Sequence, residues 1–462
     1  MNKKKLFLFV AALCALSFAF ESCSSDDLED NSLTSDVQNP FDVMTMSDNN
    51  SREKIVVISD VHLGADLSYS ETVKHLSRLE QFVNEVGSSK TVKELVIAGD
   101  LLDEWYIPTR TDTYAGKTPA DFDKRLASSN KVVFEALNKV IKDGNVKVTY
   151  VPGNHDMLLD AERVENILPG INQARDADRK LIGTYHPDGY PQIAIEHGHR
   201  YDFFCNLDPY DNQDVAPGTV LPPGYFFARI AANSFVNQVA KSAATKVPSV
   251  TLNSTDVSQK ALYLYHYGWK YCLENLIWVN DKFDDKIFVT NVGGFTGTFS
   301  MNEFLPYNNA TTGSLQVDRY KDAFTQANWE KRLKYNNVPV MTDVANAVIG
   351  SLKTEFIDNQ SNVQYFQNPQ SDVRVVIFGH THIPMIKAFT SCKNEACIYA
   401  NSGTWVDQKV RDQLGEPAVD QDPINMHFVV VTPRSEDKSK LYVGLYQFNR
   451  GEHVLVDSQS IK

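Results

Sequence analysis

Five short apolar runs in this chain each lead into a polar motif, and their order limits what the chain can fold into. Residues 55–59 lead into Asp60-Val61-His62, residues 94–98 into Gly99-Asp100-Leu101-Leu102-Asp103, and residues 146–151 into Pro152-Gly153-Asn154-His155-Asp156. Residues 192–195 lead into Glu196-His197-Gly198-His199-Arg200, and residues 373–378 into Gly379-His380-Thr381-His382. Short runs rich in β-branched residues predict strands. Between the first three, residues 70–86 and 122–142 repeat Leu, Val and Phe every three to four positions, which predicts amphipathic helices. Strands alternating with helices predict an α/β fold built of βαβ units around a largely parallel sheet. In such sheets the polar loops at the carboxyl ends of strands collect the chemistry, and all five motifs stand there.

Residues 366–462 return to strand-rich text at 373–378, 385–389, 396–400, 427–432 and 440–448. The stretch 206–365 reads differently. Residues 225–241 and 259–279 are amphipathic and aromatic-rich, as are parts of 318–352, and 251–258 reads as a polar loop. This predicts a mostly helical cap inserted between two halves of one catalytic domain, 51–205 and 366–462. The cap aromatics either contact substrate or pack on one another, and packing is the ordinary fate of such residues. With 462 residues, 42% of them apolar, the chain has ample material for a core. A net charge of −13 counts against a nucleic-acid partner, because such binding needs a basic face to exchange for counterions.

The amino terminus reads as an address. Lys3, Lys4 and Lys5 precede a mostly apolar run over 6–20, the pattern of a secretory signal occupying residues 1–22. Cys23, followed by Ser24, Ser25, Asp26 and Asp27, resembles the lipidated cysteine of a bacterial lipoprotein. That reading places the protein in the cell envelope, at the outer membrane or cell surface, tethered through a lipid at Cys23. Cleavage near Ala19 would instead leave a soluble periplasmic protein. Residues 24–50 carry seven acids and no Lys or Arg, which predicts a solvated tether over 23–50. In an oxidising compartment, a disulfide between Cys392 and Cys397 could close the turn between two strands.

The motif residues suit metal binding. Asp60 and His62 lie two apart at a strand end and project to one side, offering an oxygen and a nitrogen to one cation. Asp100 has two oxygens with which to bridge two cations. Asn154 supplies a neutral carbonyl, His155 would face whatever the cation binds, and Asp156 stands next in the chain to orient His155. His197, His199, His380 and His382 add paired imidazoles. Each motif alone also reads as a solvated turn. Yet six of the eleven histidines fall within these motifs, which single buried histidines would not produce.

Taken in this order, the motifs resemble the calcineurin-like metallophosphoesterase superfamily over residues 54–205 and 366–450. The resemblance implies a four-layer α/β/β/α sandwich carrying the helical cap. It assigns one metal to Asp60, His62 and His382, and a second to Asn154, His197 and His380, with Asp100 bridging. His155 would stabilise or protonate the departing group. His199 and Arg200, next to a ligand, could bind the substrate phosphate, a structural salt bridge being the equal alternative for Arg200. Asp103 would orient a neighbour rather than touch metal. An oxygen and imidazole ligand set without thiolate implies manganese, iron, zinc or mixed pairs. Two such cations lower the pKa of a bridging water and clamp the attacking and leaving oxygens in line. The segment 398–405 resembles the Asn-x-Gly-x-Trp stretch that follows the last motif in this superfamily, with Trp405 read as core.

Within the superfamily, Asp103 and His62 depart from the purple acid phosphatase pattern, and too little chain follows His382 for a nucleotidase substrate domain. The wording Gly-Asp-Leu-Leu-Asp-Glu-Trp and Gly-His-Thr-His-x-Pro is similar to the UDP-diacylglucosamine pyrophosphatase branch. His155 in place of Arg, the larger insertion and the export signal depart from that branch. The expectation is a dimetal phosphohydrolase acting on a phosphodiester, pyrophosphate or phosphomonoester of a small molecule, glycan or lipid. The alternative is a non-catalytic surface lipoprotein that captures a phosphorylated ligand.

Overall fold

A computed structural model describes residues 40–41, 52–178, 180–237, 246–277, 279–280, 282–407, 425–434, 437–449 and 451–461. The expected signal over residues 1–22, Cys23 and nearly all of the expected tether lie outside them. The exception is Pro40-Phe41, which is not solvated. Phe41 is buried against Phe82, Phe428 and His453, so an aromatic residue pins this end of the stretch to the core.

The catalytic half begins with β1 (Lys54–Ile58), α1 (Leu76–Ser88), β2 (Val92–Ala98), α2 (Pro119–Ser129), α3 (Lys131–Asp143), β3 (Lys147–Val151), α4 (Ala161–Ile167), β4 (Asn172–Gln173) and β5 (Ile193–Ile195). The single helix expected over 122–142 is two. Thr118 and Asp121 cap α2 reciprocally behind Pro119. Asn130 then leaves helical geometry, and its amide donates to Leu126 O at 2.8 Å and Gly64 O at 2.9 Å. A buried Asn tied to a loop carbonyl thus ends one helix and starts the next.

The cap contains α5 (Gly224–Asn237), α6 (Val257–Asn275), the hairpin β6 (Phe288–Val292) and β7 (Phe295–Phe299), the short pair β8 (Tyr307–Asn308) and β9 (Leu315–Gln316), then α7 (Gln326–Tyr335), α8 (Val344–Gly350) and α9 (Thr354–Asp358). It is therefore mixed, with two hairpins among its helices. Its aromatics pack on one another. Phe226 meets Phe288, Phe295 and Phe304, and Phe227 stacks on Trp269 with ring centroids 3.5 Å apart. Arg229 of α5 is fully buried and donates to the carbonyls of Ile107, Pro108, Thr109, Thr111 and Val289. One guanidinium so fastens the cap to the loop that follows the second motif.

The chain closes with β10 (Val375–Phe378), β11 (Met385–Thr390), β12 (Ala396–Asn401), β13 (His427–Arg434), β14 (Asp437–Asn449) and β15 (Glu452–Ile461). The fold is mixed α/β, but the strands form two sheets and neither is wholly parallel. The first has the order β15-β14-β13-β1-β2-β3-β4, and the second β11-β12-β10-β5. β1 to β4 run parallel, as do β5, β10 and β12, whereas β13 to β15 and β11 pair antiparallel. For β11–β12, β13–β14 and β14–β15 the reason is connection length, since a tight turn between successive strands permits only antiparallel pairing.

Ile55, Val57, Val96, Ile193, Ile195, Val375, Ile377 and Val429 share one apolar layer between the two sheets. The alternate residues Val56, Ile58, Leu95 and Ile97 join the core that contains Leu79 and Phe82 of α1 and Leu137 and Val140 of α3. The central strands are buried on both faces, which is why they read as continuous apolar runs. Cys392 and Cys397 are free thiols, one exposed and one buried. Cys397 pairs opposite Phe389 in the β11–β12 ladder, while Cys392 lies out in the turn, so the hairpin does not set the two across from each other.

Candidate metal centre

The five motifs converge where the strands of the two sheets end. Asp60, His62, Asp100, His380 and His382 have φ of 52, 50, 52, 67 and 59°. Five non-glycine residues in the left-handed region are costly, about 1–3 kcal/mol each where the backbone is held in such wells, and are retained where surrounding contacts fix them. Those contacts are present. The amides of Val61 and His62 both donate to Asp100 O at 2.9 Å, and His380 N reaches both carboxylate oxygens of Asp60, at 3.1 and 3.0 Å. Two motif glycines are explained by close approach. A Cβ on Gly153 would stand 2.1 Å from Asp100 Oδ1, and one on Gly99 would stand 2.5 Å from the His197 ring.

The expected metal residues are brought together as follows. His382 Nε2 lies 3.0 Å from Asp60 Oδ1 and 3.2 Å from His62 Nε2. On the other side, His197 Nε2 lies 3.2 Å from Asp100 Oδ2 and 3.1 Å from Asn154 Oδ1. Asp100 Oδ2 is also 3.6 Å from His62 Nε2, and Asp60 Oδ1 is 3.9 Å from His197 Nε2. Candidate ligand atoms of Asp60, His62 and His382 all fall within 4.8 Å of one another, as do those of Asp60, Asp100 and His197. Two ligand groups therefore share the carboxylate of Asp60, and Asp100 stands between them. The His380 ring lies 5.2 Å from that of His197, and its Nε2 is 3.0 Å from Asp202 Oδ2, which leaves Nδ1 as its nitrogen for a metal.

All the carboxylates here are buried, and imidazoles answer their charge. Burial works to raise the Asp60 pKa, yet His382 and His197 hold it well below the usual range. Burial is likewise outweighed at Asp100 by His197 and His155. The converse holds for the rings: burial disfavours the charged form of His197, but Asp100 and Asp60 push it up to about 9. Buried carboxylates demand positive charge, and either protons on the imidazoles or cations in their place can supply it. Oxygen and imidazole donors around shared carboxylates fit a pair of divalent cations.

Around this centre lie carboxylates that orient the rings. Asp103 Oδ1 is 2.9 Å from His155 Nδ1, and its Oδ2 is 3.0 Å from His62 Nδ1. Glu71 Oε2 is also 3.0 Å from His62 Nδ1. His197 Nδ1 meets the carbonyl of Ala98 at 2.9 Å. The His155 ring rests on Trp105, with centroids 4.9 Å apart. Glu71 and Asp202 were not anticipated. Glu71 belongs to no motif, and the only sign of Asp202 was its place just beyond His199.

The expectation for Asp156 changes, and Arg200 and His199 take defined places. Asp156 does not orient His155. Its carboxylate accepts from the backbone amides of Gly153 at 2.7 Å, Leu101 at 2.9 Å and Leu102 at 3.3 Å, lacing the second motif to the third. Burial, aided by the nearby charge of Asp100, raises it to about 6. Arg200 pairs with Glu196 Oε2 at 2.9 Å and Asp176 Oδ2 at 3.2 Å, the salt-bridge alternative expected for it. His199 is 2% exposed with its ring 5.3 Å from that of His197, and neither of its ring nitrogens is hydrogen-bonded. Burial, reinforced by His197 and His380, holds its pKa well below the usual value and keeps it neutral. It is buried beside the ligands, with both ring nitrogens unbonded. Trp405 is core, packed on Phe82 with its indole N–H donated to His427 O at 3.1 Å.

A two-sheet α/β fold with paired ligand groups sharing buried carboxylates at its strand ends fits a metal-dependent hydrolase. Residues 53–229 match the family model described as calcineurin-like phosphoesterase. Over those residues the chain is similar to a calcineurin-like phosphoesterase domain, and with the ligand groups at its strand ends the protein is a metal-dependent phosphoesterase. The match ends within α5, so His380 and His382 complete the centre from beyond it. No curated protein matches the chain significantly.

Proposed function

We propose that the protein hydrolyses a phosphodiester, pyrophosphate or phosphomonoester at two cations, one held by Asp60, His62 and His382 and the other by Asn154, His197 and His380. The observation that carries this reading is the position of Asp100 Oδ2, 3.6 Å from His62 Nε2 and 3.2 Å from His197 Nε2. A carboxylate so placed can join both groups. When bound, the cation pair supplies a nucleophile near neutral pH and neutralises the phosphate.

The remaining work belongs to side chains. Asp103 fixes His155 Nδ1, and Trp105 supports the ring, so Nε2 is left for the departing oxygen and can hold or deliver a proton there. Asp103, Glu71 and Asp202 hold the rings of His62 and His380 at their outer nitrogens, which fixes the nitrogen each offers inward. Asp156 and Arg200 keep the loops in place without touching substrate.

We further propose that the substrate is a lipid-linked or sugar phosphate outside the cytoplasm. Support comes from the signal-like residues 1–22, Cys23 and the wording of the second and last motifs. Among the described residues no helix is long and apolar enough to cross a membrane, and attachment through Cys23 needs none. Loss of labelled fatty-acid incorporation in Cys23→Ser, with incorporation in the parent, is the expected result for the anchor. The activity test is turnover of phosphomonoesters, cyclic and linear phosphodiesters, nucleotide sugars and phospholipids by protein reconstituted with manganese, zinc or iron. His155→Ala should lower kcat by about 10²–10⁴-fold with metal content unchanged. No turnover on any substrate, with both metals demonstrably bound, would overturn the reading in favour of a phosphate-capturing lipoprotein.

A further inference from the structure

The turn 379–382 presents two ligands, and much of what holds it comes from elsewhere in the chain. His380 and His382 both have positive φ, at 67 and 59°, and Thr381 lies between them. A turn of this shape needs external partners to persist. Asn401 supplies some of them, its amide donating to Gly379 O at 2.7 Å and to Thr381 Oγ1 at 3.0 Å. Asp60 accepts from His380 N, and a further partner is a carboxylate from the cap. Asp358, the last residue of α9, is 2% exposed. Its Oδ1 accepts from Thr381 Oγ1 at 3.1 Å, from Asn401 Nδ2 at 3.3 Å and from the Tyr399 hydroxyl.

This carboxyl has no ion-pair partner within bonding distance among the described residues, and its other oxygen, Oδ2, accepts no hydrogen bond. A buried acid in that setting is costly unless its hydrogen bonds matter to the fold around it. Every group it bonds belongs to the 379–382 turn or to the end of the adjacent strand β12. We infer that Asp358 is a positioning residue: the cap reaches into the catalytic half through it and holds His380 and His382 in the geometry that binds the cations. The inference rests on the two-cation reading above, and it gives the cap a role at the metal centre that does not depend on contacting substrate.

The test is metal binding, read without turnover. Metal-stripped parent protein, Asp358→Ala, Asp358→Asn and Thr381→Val are each titrated with manganese and with zinc by calorimetry, with bound metal counted by elemental analysis. Asp358→Ala should bind about 10–100-fold more weakly. Asp358→Asn, which keeps one acceptor oxygen, should recover part of that loss. Thr381→Val leaves Asp358 bonded to Tyr399 and Asn401, so it keeps the protein folded if Asp358→Ala does not fold, and it should weaken binding in the same direction. Phe226→Leu loosens the ring cluster of the cap without removing a hydrogen bond of the turn and should leave affinity unchanged. Parent-like affinity in both Asp358→Ala and Thr381→Val, or an equal loss in Phe226→Leu, would overturn the inference. Absence of metal binding by the parent protein would instead overturn the two-cation reading itself.

Discussion

The strand ends that carry Asp60, Asp100 and His382 and the cap cluster around Phe226 are equally buried, yet they are built on opposite principles. At the strand ends, backbone strain, charge and polar side chains are concentrated, and nearly every polar atom answers another. In the cap, rings fill space: Phe226, Phe227, Trp269 and Phe288 are fully buried and lie among other rings. Burial therefore does not mark a functional site. The mark is what burial has been made to enclose, and the strand ends, unlike the Phe226 cluster, enclose shared carboxylates faced by imidazoles.

The largest effect should come from Asp100→Asn. Replacing the carboxylate between the two ligand groups removes charge that both cations need, so hydrolysis should fall by more than about 100-fold. Thermal denaturation should still report a folded protein. Retained activity with retained metal would mean that Asp60 alone joins the groups. Phe226→Ala probes the other region. It should cost about 3–5 kcal/mol by opening a cavity among rings, seen as a lowered unfolding midpoint, while metal affinity at low temperature is kept. Loss of affinity in parallel with stability would erase the distinction between the two regions.

Arg200→Gln tests a residue at the border between them. Removing one partner from a buried ion pair should cost about 3–5 kcal/mol of stability and leave KM nearly unchanged. A raised KM without loss of stability would restore Arg200 as a phosphate contact. The smallest effect is a pH dependence of the metal-stripped protein. The folded pKa of His197, about 9, exceeds the unfolded value of about 6.5. Its stabilisation is complete below about pH 6.5 and is lost as pH rises through about 9. The unfolding midpoint should drop by a few degrees over that window in calorimetry, and the drop should shrink when metal is restored. A flat profile without metal would show that the imidazolium of His197 does not balance Asp60 and Asp100.

Much of the centre was legible because its chemistry is local. Asp60 with His62, and His380 with His382, each stand two apart in one short turn just beyond a strand end, so a single local segment delivers both ligands of a pair. The runs before them were legible because strands buried on both faces must be apolar throughout. Asp156 misled because its neighbour in the chain, His155, is not its neighbour in bonding: a tight turn sends the two side chains apart, and Asp103 reaches the ring instead. Phe41 was hidden in an acidic, otherwise polar stretch, and β15 in the mixed text of 452–461.

The sequence by itself determined the class of chemistry, since ligand types at successive strand ends survive any detail of packing. It also determined that the chain alternates strand and helix, because periodicity is a property of local backbone geometry. Only the tertiary structure decided which carboxylate serves which imidazole. His62 meets His382 across 320 positions, and Asp358 of the cap meets Tyr399 and Asn401 on a strand of the other half. Such pairings depend on how two sheets and an insertion stack, and the folded backbone sets them through contacts between segments far apart in the chain.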